Sequence, residues 1–588
     1  MPTDAATVVD LLDWAACHRE IGVRLLERGE RESWRSWSGI RDRALDVCGG
    51  LQALGVRPGE TVATVFPTGY PFLEALFGVL MAGAVPVPLY PPVRLGRLDE
   101  YQRRTAAMLR AARVRVVLAD RRVRRLLGPA VLAARPPHGC LELETLPPGP
   151  ARIVPVSPED LGLVQFSSGT TVDPKPVALS HRSLVAQAHL LNAHWPDRDG
   201  TVHSGVSWLP LYHDMGLIGC ILPALERPGQ LTLIPPEEFI VRPALWLQAI
   251  SRYRATLSPA PNFAYALCTR KVRDEEMEGV DLSCWQVAIN GAETVVPDVV
   301  RAFTDRFARW GFRSTAMTPV YGLSEAALAV TFSDPWQPLR ARRFDRAALA
   351  AGRAVQATEG LELVSAGRPL PGFEVAIVDG QPGRLGSGVV GRVLVRGPSL
   401  MAGYLHQEAA TARAFRDGWL DTGDRGFLLD GELHLTGRDK DTLIVNGRNH
   451  APEELERATE AVPGVRAGCA VAVAFRPDGA ATDEVLLLAE SVREVSADDR
   501  SSLAQRCLEQ VLAATGVRPA QAEILAPGTL PRTSSGKLRR QEALRLFLEG
   551  RLQPPRRVTA ALLAGAVARS GLAYLWAWLR RGGRGASS

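Results

Sequence analysis

Lysine is nearly missing from this chain of 588 residues: of 69 basic side chains only Lys175, Lys271, Lys440 and Lys537 are lysine. Arginine serves wherever a positive charge is enough, so a retained lysine points to a position that wants a compact ammonium on a flexible stem. Chance retention explains any one of the four, but three fall inside the motifs below. Cysteine is present but unorganised. Cys17, Cys48, Cys140, Cys220, Cys268, Cys284, Cys469 and Cys507 never approach CxxC spacing, which supports neither a zinc site nor a disulfide framework and fits a reducing, cytoplasmic setting. The N-terminal stretch carries acids early and lacks a long apolar core, so it does not read as a signal peptide. No long uncharged apolar run occurs before the last 30 residues. The net charge of +6 is small for this length. Basic residues are mostly interleaved with acidic ones, and no nucleic-acid partner is expected.

What is present suits a large α/β enzyme. Hydrophobic residues make up 46% of the chain, ample for a sizeable core, and the length predicts several domains or one subdivided one. Short β-branched runs, at 60–67, 114–120, 161–167, 285–290 and 373–379, alternate with longer amphipathic stretches. That alternation predicts substantial parallel sheet. Residues 70–92 read as a buried helix and strand. Near 430 the texture changes: 430–438 reads as a hairpin, and a helix is expected to open at Pro452 with acids in its first turn. A large first domain is therefore placed at 1–436, a boundary at 437–441, a compact α/β domain at 442–548 and a tail at 549–588.

Five stretches carry candidate chemistry. In QFSSGTTVDPKPVALSH (165–181), a strand runs into a Ser/Thr/Gly loop whose N–H groups and hydroxyls suit phosphate oxygens, with Lys175 beside them. It is not a Walker A loop. In YGLSEA (321–326), Tyr321 could stack on a base and Glu325 could hold Mg²⁺. In GWLDTGDRG (418–426), Asp421 and Asp424 flank a glycine turn suited to ribose hydroxyls. The last two are GRDKDTLIVNGRNHAPEELE (437–456) and LPRTSSGKLRR (530–540). Each alone has a plain alternative: a surface loop, a packed tyrosine, an Asx-turn.

Their order and spacing resemble the signature motifs of the adenylate-forming superfamily over about residues 10–548. Further stretches at 83–104, 208–219 and 252–268, and an extra segment at about 332–362, resemble the fatty acyl-AMP ligases within it. The resemblance implies a multi-subdomain N-terminal adenylating domain with mixed and parallel sheets, and a small mobile α/β C-terminal domain. It implies ATP and Mg²⁺ as cofactors and a fatty acid as substrate. By the same resemblance, Lys537 reaches the carboxylate and α-phosphate. Ser167, Ser168, Gly169, Thr170, Thr171 and Lys175 hold the outer phosphates, and Glu325 holds Mg²⁺. Tyr321 and Gly322 meet adenine, bordered by Asn290, Gly291 and Ala292. Asp424 and Arg438 take the ribose, and Lys440 is the hinge. His213 would lie near the carboxylate end of the acyl pocket; a satisfied core histidine is the alternative. The family's PKG reads Pro174-Lys175-Pro176 here, a stiffer loop with one fewer backbone donor.

The implied acceptor is the phosphopantetheine thiol of an acyl carrier protein, expected to be a separate protein because no carrier-like serine follows 548. An acyl-CoA synthetase and a non-catalytic nucleotide- or lipid-binding relative are the competing readings. Residues 558–581 read either as a peripheral amphipathic helix at a membrane, with Trp576 and Trp578 at the interface, or as a helix packed on the protein. A spanning helix is disfavoured by Arg569 at its middle.

Overall fold

The computed structural model describes residues 5–92, 95–167, 175–196, 202–380, 383–445, 448–476, 484–533, 536–556 and 558–582. Among the described residues nine strands form one sheet. At its centre lie six parallel strands in the order Met317–Gly322, Val287–Asn290, Leu257–Ala260, Gly205–Ser207, Leu231–Leu233 and Gly22–Glu27. Their side chains are mostly buried, as expected of parallel strands covered by helices on both faces. Antiparallel strands close the two edges.

A second, wholly parallel sheet orders Val85–Pro88, Thr61–Val65, Val116–Ala119 and Cys140–Leu141. The apolar stretch 70–92 supplies the helix Tyr70–Met81 and the strand Val85–Pro88. Glu74 is the buried exception on that helix, and it is paired with Arg35. A five-stranded antiparallel sheet follows, in which Trp419–Leu429 and Glu432–Arg438 form the hairpin expected at 430–438. Beyond Arg438, three apolar clusters draw only on residues from 443 to 552, around the antiparallel pair Val465–Phe475 and Glu484–Ser491, while Ala566 and Tyr574 of the tail join the cluster of the second parallel sheet. The helix expected at Pro452 spans Pro452–Glu460, with Glu453 and Glu454 in its first turn. The segment 332–362 contributes a strand, Ala341–Phe344, a short helix, Arg346–Ala350, and a strand from Leu361. The eight cysteines, all among the described residues, are unpaired and seven are buried.

Candidate active site

The central strands are parallel, so their C-terminal ends face one crevice, where the loops diverge and backbone groups are free to meet a ligand. Asn290 ends one strand, and Tyr321 and Gly322 end its neighbour. The next strands lead from Ala260 to Asn262 and from Ser207 to His213. Gly322 is required where it stands: a Cβ there would lie 1.8 Å from the Leu328 carbonyl oxygen. Asn290 is fully buried. Its Nδ2 donates to Asn262 Oδ1 at 3.3 Å, while its Oδ1 accepts nothing among the described residues. A buried acceptor without a partner is costly and suggests a ligand donor. Gly291 and Ala292 follow, the latter with φ of 66°.

One end of the crevice is organised by Asp424. The Tyr321 hydroxyl donates to its Oδ2 at 2.7 Å, and Arg438 Nε approaches its Oδ1 at 3.2 Å. Asp424 and Arg438 oppose each other across the hairpin, so strand register sets the pair. Burial pushes the Asp424 carboxyl up, against Arg438, Tyr321 and Lys537.

The other end gathers Lys175, Glu325 and Tyr404. The Tyr404 hydroxyl donates to Glu325 Oε1 at 2.9 Å, and the Lys175 ammonium sits 4.6 Å from the centre of the Tyr404 ring. Burial lowers the Lys175 ammonium and raises the Glu325 carboxyl, and each charge opposes the other's shift. Ser167 donates its N–H to the Lys175 carbonyl at 3.1 Å, which pairs the two described flanks of that stretch. Pro176 begins a strand, a position where the missing N–H is tolerated, and its carbonyl accepts from Leu405. Ser168, Gly169, Thr170 and Thr171 lie outside the described residues.

Between these ends lies a charged cluster. His213 Nδ1 meets Asp214 Oδ1 at 2.6 Å, and the Ser324 hydroxyl donates to Asp214 Oδ2. Burial alone would raise the Asp214 carboxyl; His213, Ser324 and Lys537 outweigh it and hold it well below the usual carboxylate range. Lys537 enters from the smaller unit on a tight turn, its N–H donating to Thr533 Oγ1 at 3.0 Å. Burial and the Arg438 charge lower its ammonium, against Asp214, Glu293 and Asp424. Three sequence-distant carboxylates and Lys537 thus share one field.

Lys440 is exposed, on the single turn Asp439–Asp441. Its neighbours are anchored on opposite sides: Asp439 to Arg425 of the large unit at 3.2 Å, Asp441 to Arg540 of the small one at 3.2 Å. Its charge also bears on Lys175.

Asp214, Ser324, Glu293 and Tyr404 were not singled out from the sequence. The first three sit inside or beside the motifs quoted, next to His213, Glu325 and Ala292. Tyr404, in MAGYL, carries no local signal.

Replacing Asp214 with asparagine is expected to cost roughly 2–3 kcal/mol at pH 7, because the buried carboxylate that His213 and Ser324 hydrogen-bond is lost. The carboxyl is depressed on folding, so its stabilisation is present above the unfolded carboxylate value and fades as pH falls through the folded one. Urea midpoints of the two proteins should therefore converge on acidification. A gap that stays constant with pH would show that the Asp214 charge contributes nothing.

The donor set also bears on nucleotide and metal. An orphaned acceptor at Asn290, a carboxylate paired to Arg438 and three cations along one crevice fit a nucleoside polyphosphate. Glu325 fits Mg²⁺, which is bound through one or two carboxylates plus substrate phosphates. Among the described residues no group of three or more His, Cys, Asp or Glu gathers as a metal cage.

The AMP-binding enzyme family model matches residues 13–405. A Caulobacter vibrioides protein bearing an acyl-CoA synthetase name is 36% identical over 569 residues, 93% of this chain and 96% of its own. The medium-chain-fatty-acid–[acyl-carrier-protein] ligase JamA of Moorena producens is 31% identical over 610 residues, 96% of this chain and 99% of its own. A solved structure from work on the fatty acyl-adenylate ligases of E. coli and L. pneumophila superposes with a TM-score of 0.86 at 33% identity, covering 93% of this chain and 98% of that one. With the crevice built as above and a family match over most of its length, the chain belongs to the AMP-binding enzymes and is an ATP-dependent, AMP-forming ligase.

Proposed function

We propose that the protein is a fatty acyl-AMP ligase that passes its acyl group to the phosphopantetheine thiol of an acyl carrier protein. The observation that carries the reading is the convergence of Lys537, from the smaller unit, with Asp424, Arg438 and the His213–Asp214 pair at the ends of the parallel strands.

A fatty carboxylate has an ordinary pKa of about 4–4.5 and is already ionised at neutral pH, so no general base is needed. The obstacle is bringing an anion onto a polyanion. One carboxylate oxygen attacks the α-phosphorus of ATP, the bond to the bridging oxygen breaks, and pyrophosphate leaves. Tyr321, anchored through its hydroxyl, presents its ring to adenine, and Asn290 Oδ1 is placed to accept from the base. Asp424 and Arg438 meet the ribose. Ser167, the loop through Thr171 and Lys175 take the outer phosphates. Lys537 balances the charge that builds between carboxylate and α-phosphate. His213, fixed by Asp214, borders the carboxylate. When bound at Glu325, Mg²⁺ supplies charge neutralisation of the phosphates. In the second step the thiol sulfur attacks the acyl carbon, AMP leaves with the C–O electron pair, and the thiol proton goes to solvent. That step needs Lys537 withdrawn, and Lys440, between its two anchored aspartates, is the pivot we assign to 437–441. On this assignment 1–436 is the adenylating domain and 442–548 the mobile one.

The acceptor is the point on which the relatives' names diverge. ATP–pyrophosphate exchange should respond to fatty acids, and acyl transfer should proceed with a phosphopantetheinylated carrier far faster than with CoA. Rapid acyl-CoA formation from ATP, fatty acid and CoA would overturn the carrier assignment and favour the acyl-CoA synthetase reading.

A further inference from the structure

The last helix, Ala560–Gly582, is built the wrong way round for a helix that faces water. Its uncharged polar side chains, Ser570 and Tyr574, point inward. Ser570 Oγ accepts from the Gly128 N–H at 2.8 Å, and the Tyr574 hydroxyl donates to the Arg124 carbonyl at 2.9 Å. Both partners lie on the helix Arg121–Ala134, and the fit is close: a Cβ on Gly128 would stand 2.3 Å from the Ser570 carbonyl oxygen. Ala566 and Ala573 are buried on the same side. The outward side carries Val567, Leu572, Leu575 and Trp576, each between 42% and 57% exposed. From Ala560 to Ala577 its one charged residue is Arg569, which is 59% exposed and 3.9 Å from Asp99.

The two segments that carry and cradle this apolar face are strongly basic in sequence. Residues 550–588 contain seven arginines and no acid, and residues 95–135, which include the docking helix, contain eleven arginines against three acids. These two segments hold an excess of fifteen positive charges. With +6 for the whole chain, everything else is nine negative. On the docking helix Arg121, Arg122 and Arg125 are exposed.

We propose that the docked tail helix and the basic segment beneath it form one surface that binds an anionic lipid bilayer, the helix lying in the interface plane with Leu572, Leu575 and Trp576 among the acyl chains. Apolar side chains ringed by arginine are what such a surface presents, and charge and burial reinforce each other there. By length and composition the helix could also cross a bilayer, with a mean hydropathy of 1.3 over Ala560–Ala577. Its bonds through Ser570 and Tyr574 to the folded body, and Arg569 near its middle, hold it instead at the surface.

The proposal is independent of the acyl acceptor. Its test is co-sedimentation of the full chain with phosphatidylcholine vesicles, with and without phosphatidylglycerol. Binding is expected to the anionic vesicles, weakened by salt. The triple variant Leu572→Ser, Leu575→Ser, Trp576→Ser should lose binding by at least about 100-fold, since three exposed apolar side chains no longer enter the lipid. The three side chains are already solvent-exposed, so the fold should survive. ATP–pyrophosphate exchange with a short, water-soluble acid should be unchanged, which separates this outcome from failure of the catalytic reading. Equal binding to neutral and anionic vesicles, or no binding to either, would overturn the proposal. So would a dimer that the triple variant dissociates, because the face would then belong to a second copy of the chain.

Discussion

Lys537→Ala is expected to lower the rate of acyl-adenylate formation by about 10²–10³-fold, the usual cost of removing one preorganised charge from a forming anionic centre. ATP affinity should change much less, because Lys175, Arg438 and Asp424 remain. Lys537→Arg should not restore the rate. The guanidinium is larger and planar, and its charge cannot be drawn down by burial as an ammonium can. Initial rates of pyrophosphate release at saturating ATP distinguish these outcomes, and an unchanged rate in the alanine variant would mean that another group carries the role. The pH profile gives a second reading of the same residue. Burial and Arg438 lower the Lys537 ammonium, so in wild type adenylation should fall as pH rises through that lowered value. Stability should move the other way. Between the lowered and the ordinary lysine value the unfolded chain binds more protons, so the contribution of Lys537 to stability rises with pH.

Much of this site could be read before the structure, for a physical reason. The loops at the ends of parallel strands carry short runs with unusual composition, and their residues need not pack, so chemistry rather than burial shapes them. Tyr321 and Glu325 are of this kind; Asp424 and Arg438 face each other on an antiparallel hairpin, and the crevice takes them with Tyr321 at one end and Glu325 at the other. The strand runs at 60–67 and 285–290 are legible because a parallel strand covered on both faces must be nearly all apolar; the run at 161–167, equally apolar, pairs antiparallel with Pro176–Ser180 instead. What could not be read is partnership. Nothing in a linear sequence says that Tyr321 and Asp424, 103 positions apart, share a hydrogen bond, or that Tyr404 leans across Glu325 and Lys175. Asp214 shows a subtler limit. It stands in YHDMG beside His213, yet its importance comes from Ser324 and Lys537, which arrive from other elements. The sequence leaves the tail helix between two readings because composition reports how apolar a helix is and not which side faces the body. Ser570 and Tyr574 decide that, and only through Gly128 and Arg124.

The segment 332–362 leads to the second large effect. Its helix Arg346–Ala350 places Arg346 against Glu454, in the first turn of the smaller unit's helix Pro452–Glu460. Leu349 and Ala350 line a cleft with Thr442, His450 and Ala451 from the smaller unit. Phe344, fully buried, stands 5.1 Å from Phe427, edge to face, and so roots the segment in the large unit's antiparallel sheet. The segment therefore fastens the small unit close to the orientation in which Lys537 occupies the crevice. Any rotation that withdraws Lys537 must first break these contacts. Arg346 is half-exposed and Glu454 largely buried; with one partner open to water the pair contributes only about 0.2–1 kcal/mol, so Arg346→Glu alone should raise acyl transfer to CoA a few-fold at most. Exchanging both charges, Arg346→Glu with Glu454→Arg, should return it to the wild-type level. Removing the helix and the cleft while keeping Phe344 in place, by replacing 346–351 with a short Gly/Ser turn, should do more. Each roughly 1.4 kcal/mol taken from the fastened orientation multiplies the rotated population tenfold. Acyl-CoA formation should then rise by about tenfold or more while pyrophosphate release stays near wild type. If the turn variant adenylates normally and still leaves CoA untouched, the barrier to CoA lies in the thiol's own entry path and not in the rotation of the small unit.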